Sequence, residues 1–179
     1  MNDFTVKEHK KESKGPCNFY IITISTSRFE KYGKVSSPQD AEDSSGQIME
    51  ELVQAAGHKL SGYSLVIDDE TSIIDALTRA LRSDADIIVI SGGTGLTSKD
   101  VTIESVTPMF EKEIPGFGEL FRYRSIEQIG ASVILTRASA GTINGKAVFC
   151  MPGSPAAVTL GMKEIIIPEA GHIVKHVKQ

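Results

Sequence analysis

At 179 residues the chain is long enough for one domain with a sizeable core. With 40% hydrophobic and 23% charged residues it has an ordinary globular composition, and a net charge of −4 with a pI near 5.6 argues against a general nucleic-acid coat, which needs a basic surface. No apolar run approaches the roughly 18–20 residues that span a bilayer, and the N-terminus lacks the apolar core of a signal peptide, so a cytoplasmic protein with no membrane attachment is expected.

Residues 1–16, MNDFTVKEHKKESKGP, are charged and weakly periodic and end in Gly15-Pro16. They read as a mobile arm, either a solvated tail or a segment that swaps onto a neighbouring subunit. Residues 17–179 read as one domain. Cys17 and Cys150 have no metal-ligand spacing and are expected to be reduced, buried thiols.

The run Phe19–Ile24 is β-branched and aromatic without alternation, the pattern of a strand buried on both faces. The polar stretch that follows, TSRFEKYGKVSSPQDAEDSSG, is too long for an ordinary connection and is expected to be a functional loop. Next comes a helix with Ile48, Leu52 and Ala55 on its buried face, Ser44 or Ser45 as N-cap and Gly57 as its stop. YSLVI is a second strand. Ile73, Ile74, Leu77 and Leu81 then define a second amphipathic helix with acids at its positive end. DIIVIS is a third strand. Beyond it, VTIESVTPMFEKEIPGFGELFRYRSI reads as helix interrupted at Pro115-Gly116, with Val106, Phe110, Phe117 and Phe121 as core or subunit interface. Asn144-Gly145 marks a hairpin with a type I′ turn. PGSP ends a strand, with Ser154 capping and Pro155 opening the helix that follows. His172 and His176 lie four apart on a last short helix, a spacing that suits capping, packing or a shared metal. The alternation predicts an α/β fold: three layers, doubly wound, with a mostly parallel sheet covered by helices on both faces.

In such sheets ligands bind beyond the C-terminal strand ends. The loops there offer Arg28, the acids Asp68 and Asp69, and the cluster SGGTGLTSKD. That cluster has neither the Gly-Lys-Ser/Thr of a P-loop nor the G-x-G-x-x-G of a dinucleotide fold. Its glycines suit a plain turn. Backbone amides beside the hydroxyls of Thr94 and Thr97 also suit phosphate oxygens, and Asp100 suits a magnesium ion bridging to phosphate, with Asp69 as a second carboxylate. Lys99 is either a phosphate-binding cation or a solvated surface charge. PGSP, Pro152 to Pro155, is a second anion-friendly turn at a helix N-terminus.

SGGTGLTSKDVTIES, RASAG and MPGSPAAV, in that order, resemble the MoaB/Mog family of molybdenum-cofactor biosynthesis proteins, most closely its archaeal-type MoaB members; the likeness runs from about Asn18 to His176. The resemblance implies the same doubly wound fold, a homotrimer or homohexamer, and an activity: Mg2+-ATP-dependent adenylylation of molybdopterin with release of pyrophosphate, by a molybdopterin adenylyltransferase. Its alternative is a catalytically silent molybdopterin carrier, and hand-over to a MoeA-type molybdate-insertion protein is the implied next step. Carried over, the family's acids fall on Asp69 and Asp100 as catalytic magnesium and positioning residues. Gly92, Gly93, Thr94, Gly95, Lys99 and Glu104 fall in the nucleotide and phosphate site. Ser139, Gly141, Pro152, Gly153, Ser154 and Pro155, with Arg28, fall near molybdopterin. Many relatives carry a compact S-D-R after the first strand where this chain has ISTSRFEKYGK. The acid expected there is absent, and the nearest later ones are Glu30, Asp40 and Asp43.

Overall fold

A computed structural model describes residues 15–179. The expected arm falls on residues 1–16 and so lies outside them, save for Gly15 and Pro16, both exposed. In chain order the elements are β1 (Asn18–Ile24), α1 (Thr26–Tyr32), α2 (Ser44–Ala55), β2 (Lys59–Val66), α3 (Glu70–Arg82), β3 (Ile87–Ser91), α4 (Thr102–Val106), β4 (Lys112–Glu113), α5 (Pro115–Ile129), β5 (Ser139–Ile143), β6 (Lys146–Met151), α6 (Pro155–Leu160) and α7 (Ile167–Val177). Among the described residues no helix is long and apolar enough to cross a membrane.

The strands form one sheet in the order β2-β1-β3-β6-β5-β4. β2, β1, β3 and β6 run parallel, and β5 and β4 are added antiparallel. Helical crossovers take the chain from β1 outward to β2, then back across to β3. The order therefore reverses between β1 and β3, and loops leaving those two strands diverge to leave a crevice.

The unbroken apolar character of β1 and β3 follows from burial on both faces. Phe19, Ile21, Ile87 and Val89 point to one side, with Met49 and Val53 of α2 and Phe117 and Phe121 of α5. Ile22, Ile24, Ile88 and Ile90 point to the other, against Ile73, Ala76, Leu77 and Ala80 of α3. The Phe117 ring meets Phe149 edge-on at 5.0 Å. Each such side chain contributes about 1.5–3 kcal/mol by leaving water, which makes the sheet a stiff platform for the loops at its ends. Both cysteines are free and buried, and burial pushes the Cys150 thiol up to about 12.

Several local expectations are corrected. The long polar stretch after β1, expected as a functional loop, is not loop throughout: it holds α1 and a 3-10 turn at Gln39–Ala41. On α2 the buried positions are Met49 and Val53, Ile48 and Leu52 are only partly buried, and Ala55 is exposed, so the apolar face is rotated by about one residue. The N-cap of α2 is Asp43 rather than a serine. Pro115-Gly116 starts α5 instead of breaking a helix, and the residues before it form β4. The second strand begins at Lys59, four residues before YSLVI. The last helix is not separate: α6 continues through a π-helical stretch, Gly161–Ile166, into α7. The hairpin is as expected, with Asn144 at φ 49° and Gly145 at φ 70° joining β5 to β6.

Candidate active site at the strand ends

The glycine cluster begins where β3 runs out of ladder. Gly92 donates its N–H to Met151 O at 3.1 Å, tying the end of β3 to the end of β6. Gly92 and Gly93 then take φ of 99° and 61°, which turns the chain sharply. Thr102, fully buried, clamps the turn from below: its hydroxyl donates to Gly92 O at 2.9 Å and its amide to Gly93 O at 3.0 Å.

PGSP comes to the same place from β6. A Cβ placed on Gly153 would lie 3.1 Å from Gly92 Cα, so the two glycine turns touch backbone to backbone. Ser45, at the head of α2, donates its hydroxyl to Gly153 O at 2.8 Å and fixes the second turn. Just below, Asp43 is buried and accepts from Thr23 Oγ1 at 2.7 Å and Tyr63 OH at 2.9 Å. Of the three later acids after β1, it is Asp43 that folds back beneath the strand ends.

A cavity of about 340 Å³ opens between the turns, lined by Gly93, Thr94, Gly95, Asp100, Leu135, Thr136, Arg137, Pro152 and Gly153. A roomier one, about 460 Å³, lies against β2 and α3 with Lys34, Asp75 and Arg79 on its wall. It holds neither glycine turn nor Asp100, so the smaller cavity is the candidate site.

Arg137, which the sequence motifs left without a role, is the cation of this cavity. Its Nε donates to Thr94 O at 2.9 Å, one terminal nitrogen to Asp100 O at 3.5 Å, and the guanidinium fork pairs with the Glu104 carboxylate, Nη2 to Oε2 at 3.2 Å. One planar side chain thus fixes the glycine turn, the loop at Asp100 and α4 together. Asp100 is itself held by Thr97, whose amide and hydroxyl reach its Oδ2 at 3.0 and 2.6 Å. Those bonds from Thr97 keep the Asp100 carboxyl below the usual carboxylate range. Arg137 does the same to Glu104.

The two neighbouring acids after β2 divide their work unexpectedly. Asp69 caps α3, accepting from Ser72 N at 3.0 Å; the Ser72 side chain first, and that amide next, lower its carboxyl. Asp68 is the acid that reaches the glycine turn. A Cβ on Gly93 would sit 2.7 and 2.8 Å from its two oxygens, and Oδ1 accepts from Val101 N at 3.4 Å. Burial first, and then the charges of Asp100 and Asp69, raise the Asp68 carboxyl.

Other expected residues stand apart from the cavity. Arg28 spends its guanidinium on the carbonyls of Ala41 and Glu42. Lys99 is exposed. Ser154 caps α6, with Pro155 in its first turn. Ser139 and Gly141 belong to β5, where a Cβ at Gly141 would strike the Phe110 ring.

The electrostatics call for a cation before an anion. Asp68 lies against Gly93 and Asp100 against Gly95, with Asp69 next along the chain from Asp68, while the Arg137 charge is already matched by Glu104. Asp69 Oδ2 is buried with no hydrogen-bond partner, an atom that a magnesium ion would satisfy. Hard carboxylate oxygens are the donors that ion prefers, and the residues present fit it.

Residues 20–172 match the family described as "probable molybdopterin binding domain". The chain belongs to the MoaB/Mog molybdopterin-binding family. It is 46% identical over 171 residues to molybdenum cofactor biosynthesis protein B of Bacillus cereus, covering 94% of this chain and 95% of that one. It is 42% identical over 179 residues to a protein of Pyrococcus furiosus named molybdopterin adenylyltransferase, covering 97% and 99%. Bacterial and archaeal members are thus similarly near. Among solved structures, one of molybdenum cofactor biosynthesis protein B superposes with a TM-score of 0.82 at 44% identity, covering 91% of this chain and 96% of that one. The tungsten cofactor synthesizing protein MoaB from Pyrococcus furiosus gives 0.80 at 39%, covering 92% and 98%. As a MoaB/Mog family member the chain is a molybdenum cofactor biosynthesis protein, and its mostly parallel sheet is the fold of these relatives.

Proposed function

We propose that this MoaB-family protein adenylylates molybdopterin. A terminal phosphate oxygen of molybdopterin attacks the α-phosphorus of ATP; the new P–O bond forms as the bond from that phosphorus to the oxygen bridging to the β-phosphate breaks, and pyrophosphate leaves. The observation that carries the reading is the contact of two anion-binding turns, Gly153 against Gly92, over a cavity shared by Asp100 and Arg137. A transfer between two phosphates needs two anion cradles facing one another.

The attacking phosphate needs no general base, because a phosphate monoester with a second pKa of about 6 is largely ionised at neutral pH. The protein's task is positioning and charge neutralisation. Amides of Gly93 to Gly95 and the Thr94 hydroxyl receive the nucleotide phosphates, Gly92 sets the turn with its own amide spent on Met151 O, and Lys99 approaches from the rim. Pro152 to Pro155 receive the molybdopterin phosphate, with Arg28, Ser139 and Gly141 on the pterin side. Arg137, itself paired with Glu104, holds the Thr94 carbonyl, which orients the amides that follow it. Asp69 and Asp100 hold magnesium, which when bound offsets phosphate charge and orients the two reactants. A homotrimer or homohexamer, and delivery to a MoeA-type insertion protein, complete the proposal.

The second reading is a silent molybdopterin carrier. It is favoured by the closing of Arg137 on Glu104, which leaves that guanidinium engaged within the protein. Steady-state pyrophosphate release on mixing protein, molybdopterin, Mg2+ and ATP separates the two. Release that needs all four components is the expected result. Molybdopterin binding without release identifies the carrier.

A further inference from the structure

At the opposite end of the sheet from the glycine turns, α7 carries a second arrangement that the proposed reaction does not use. β3 and β6 are in register from Ile87 opposite Ala147 to Ser91 opposite Met151, so the turn at Asn144-Gly145 lies at the end where β3 begins. The tail of α7 packs there, with Lys178 Nζ 2.5 Å from Asp86 Oδ1. His172 and His176 lie one turn apart on the same face of this helix.

Their orientation is specific. The Glu169 carboxylate sits 3.2 Å from His172 Nδ1. A carboxylate there holds the proton on Nδ1 and leaves Nε2 with its lone pair outward, the arrangement by which proteins prepare an imidazole to bind a metal. That Nε2 is hydrogen-bonded to Nε2 of His176 at 3.0 Å, with the rings edge-to-face and their centroids 4.7 Å apart, so a metal binding both nitrogens would replace the proton between them. Two ring nitrogens thus converge on one point. A metal about 2.1 Å from each nitrogen sees them at roughly 90°, the angle between adjacent ligands in the tetragonal sites that nickel favours. A cavity of about 450 Å³ opens in front of the pair, with Glu111, Lys112 and Glu113 on its wall, giving a cation access.

We propose that His172 and His176 form a two-histidine chelate for a borderline divalent cation such as zinc, nickel or cobalt, with Glu169 as the positioning carboxylate. Among the described residues no third histidine, cysteine or carboxylate joins the group, so the remaining positions belong to water and the ion exchanges freely. Imidazole pairs select such cations over magnesium, which prefers oxygen. The site is separate in chemistry and place from the magnesium proposed at the strand ends.

Calorimetric titration of the full chain with ZnCl2, NiCl2 or MgCl2 in a non-coordinating buffer tests it. The expected result is one saturable equivalent of zinc or nickel, weakened at least tenfold by either His172→Gln or His176→Gln, and about tenfold or more by Glu169→Gln. Magnesium gives no signal that these variants alter. Zinc affinity unchanged in the His172→Gln/His176→Gln double variant, or no saturable zinc binding at all, would overturn the assignment. Both histidines are surface residues of α7, and molybdopterin-dependent pyrophosphate release by the variants reports on the strand-end site separately.

Discussion

Asp100→Asn is expected to lower the single-turnover rate of adenylyl transfer by about 10²–10³-fold, the usual loss when one preorganised electrostatic group is removed from a site. Molybdopterin affinity is expected to stay as in the parent chain. The substitution is informative because it keeps the fold: an Asn carbonyl still accepts from the Thr97 amide and hydroxyl that bind Oδ2 now. What disappears is the charge, and with it a magnesium ligand. Raising the Mg2+ concentration should recover part of the rate. The pH profile adds a second check. Since Thr97 holds the Asp100 carboxyl below the usual range, the group stays ionised at every pH above its ordinary value of about 4. The parent rate should therefore show no acid limb from Asp100 at neutral or mildly acidic pH. Normal turnover by the Asn variant would remove Asp100 from the magnesium site.

Gly93→Ala carries the largest expected effect on stability. Gly93 has φ of 61°, and the added Cβ would collide with Thr102 Oγ1 and lie within 2.8 Å of both Asp68 oxygens. Thr102 cannot yield cheaply, since it is fully buried and bonded to the Gly92 and Gly93 carbonyls. A left-handed backbone costs an L-residue roughly 1–2 kcal/mol, and overpacking adds about 1–3 kcal/mol. A total near 2–5 kcal/mol should appear as a lower urea midpoint at unchanged slope. Gly57→Ala is the control: its φ is 78°, but nothing lies within 4 Å of the new atom. It should cost the backbone part alone. Equal losses at the two positions would mean that Asp68 and Thr102 do not crowd the turn as described.

Much of the layering was legible because a parallel sheet writes itself as alternating apolar strands and amphipathic helices. The two-sided burial of β1 and the I′ hairpin at Asn144-Gly145 came straight from local chemistry. Details set by tertiary contact were not legible. The buried face of α2 is decided by which side of the sheet it meets, so Met49 and Val53 displaced the expected Ile48 and Ala55. Asp68 and Asp69 look alike in sequence, and only the path of the chain into α3 makes one a cap and sends the other across to Gly93. Arg137 lay inside a motif whose small residues drew notice first. Its partners Thr94, Asp100 and Glu104 are 33 to 43 positions away, beyond the reach of any local pattern. Asp43, one of the three later acids after β1, comes back under the strand ends to Thr23 and Tyr63 from a segment read as a functional loop.

The central claim is that the two touching glycine turns hold two phosphates for transfer. The most direct test is a single-turnover reaction of purified protein with molybdopterin, Mg2+ and ATP labelled at the α-phosphate. The account predicts label in a molybdopterin adduct, formed only with Mg2+ and in step with pyrophosphate. Saturated molybdopterin with all label remaining in ATP would contradict it and leave the turns as a binding site alone.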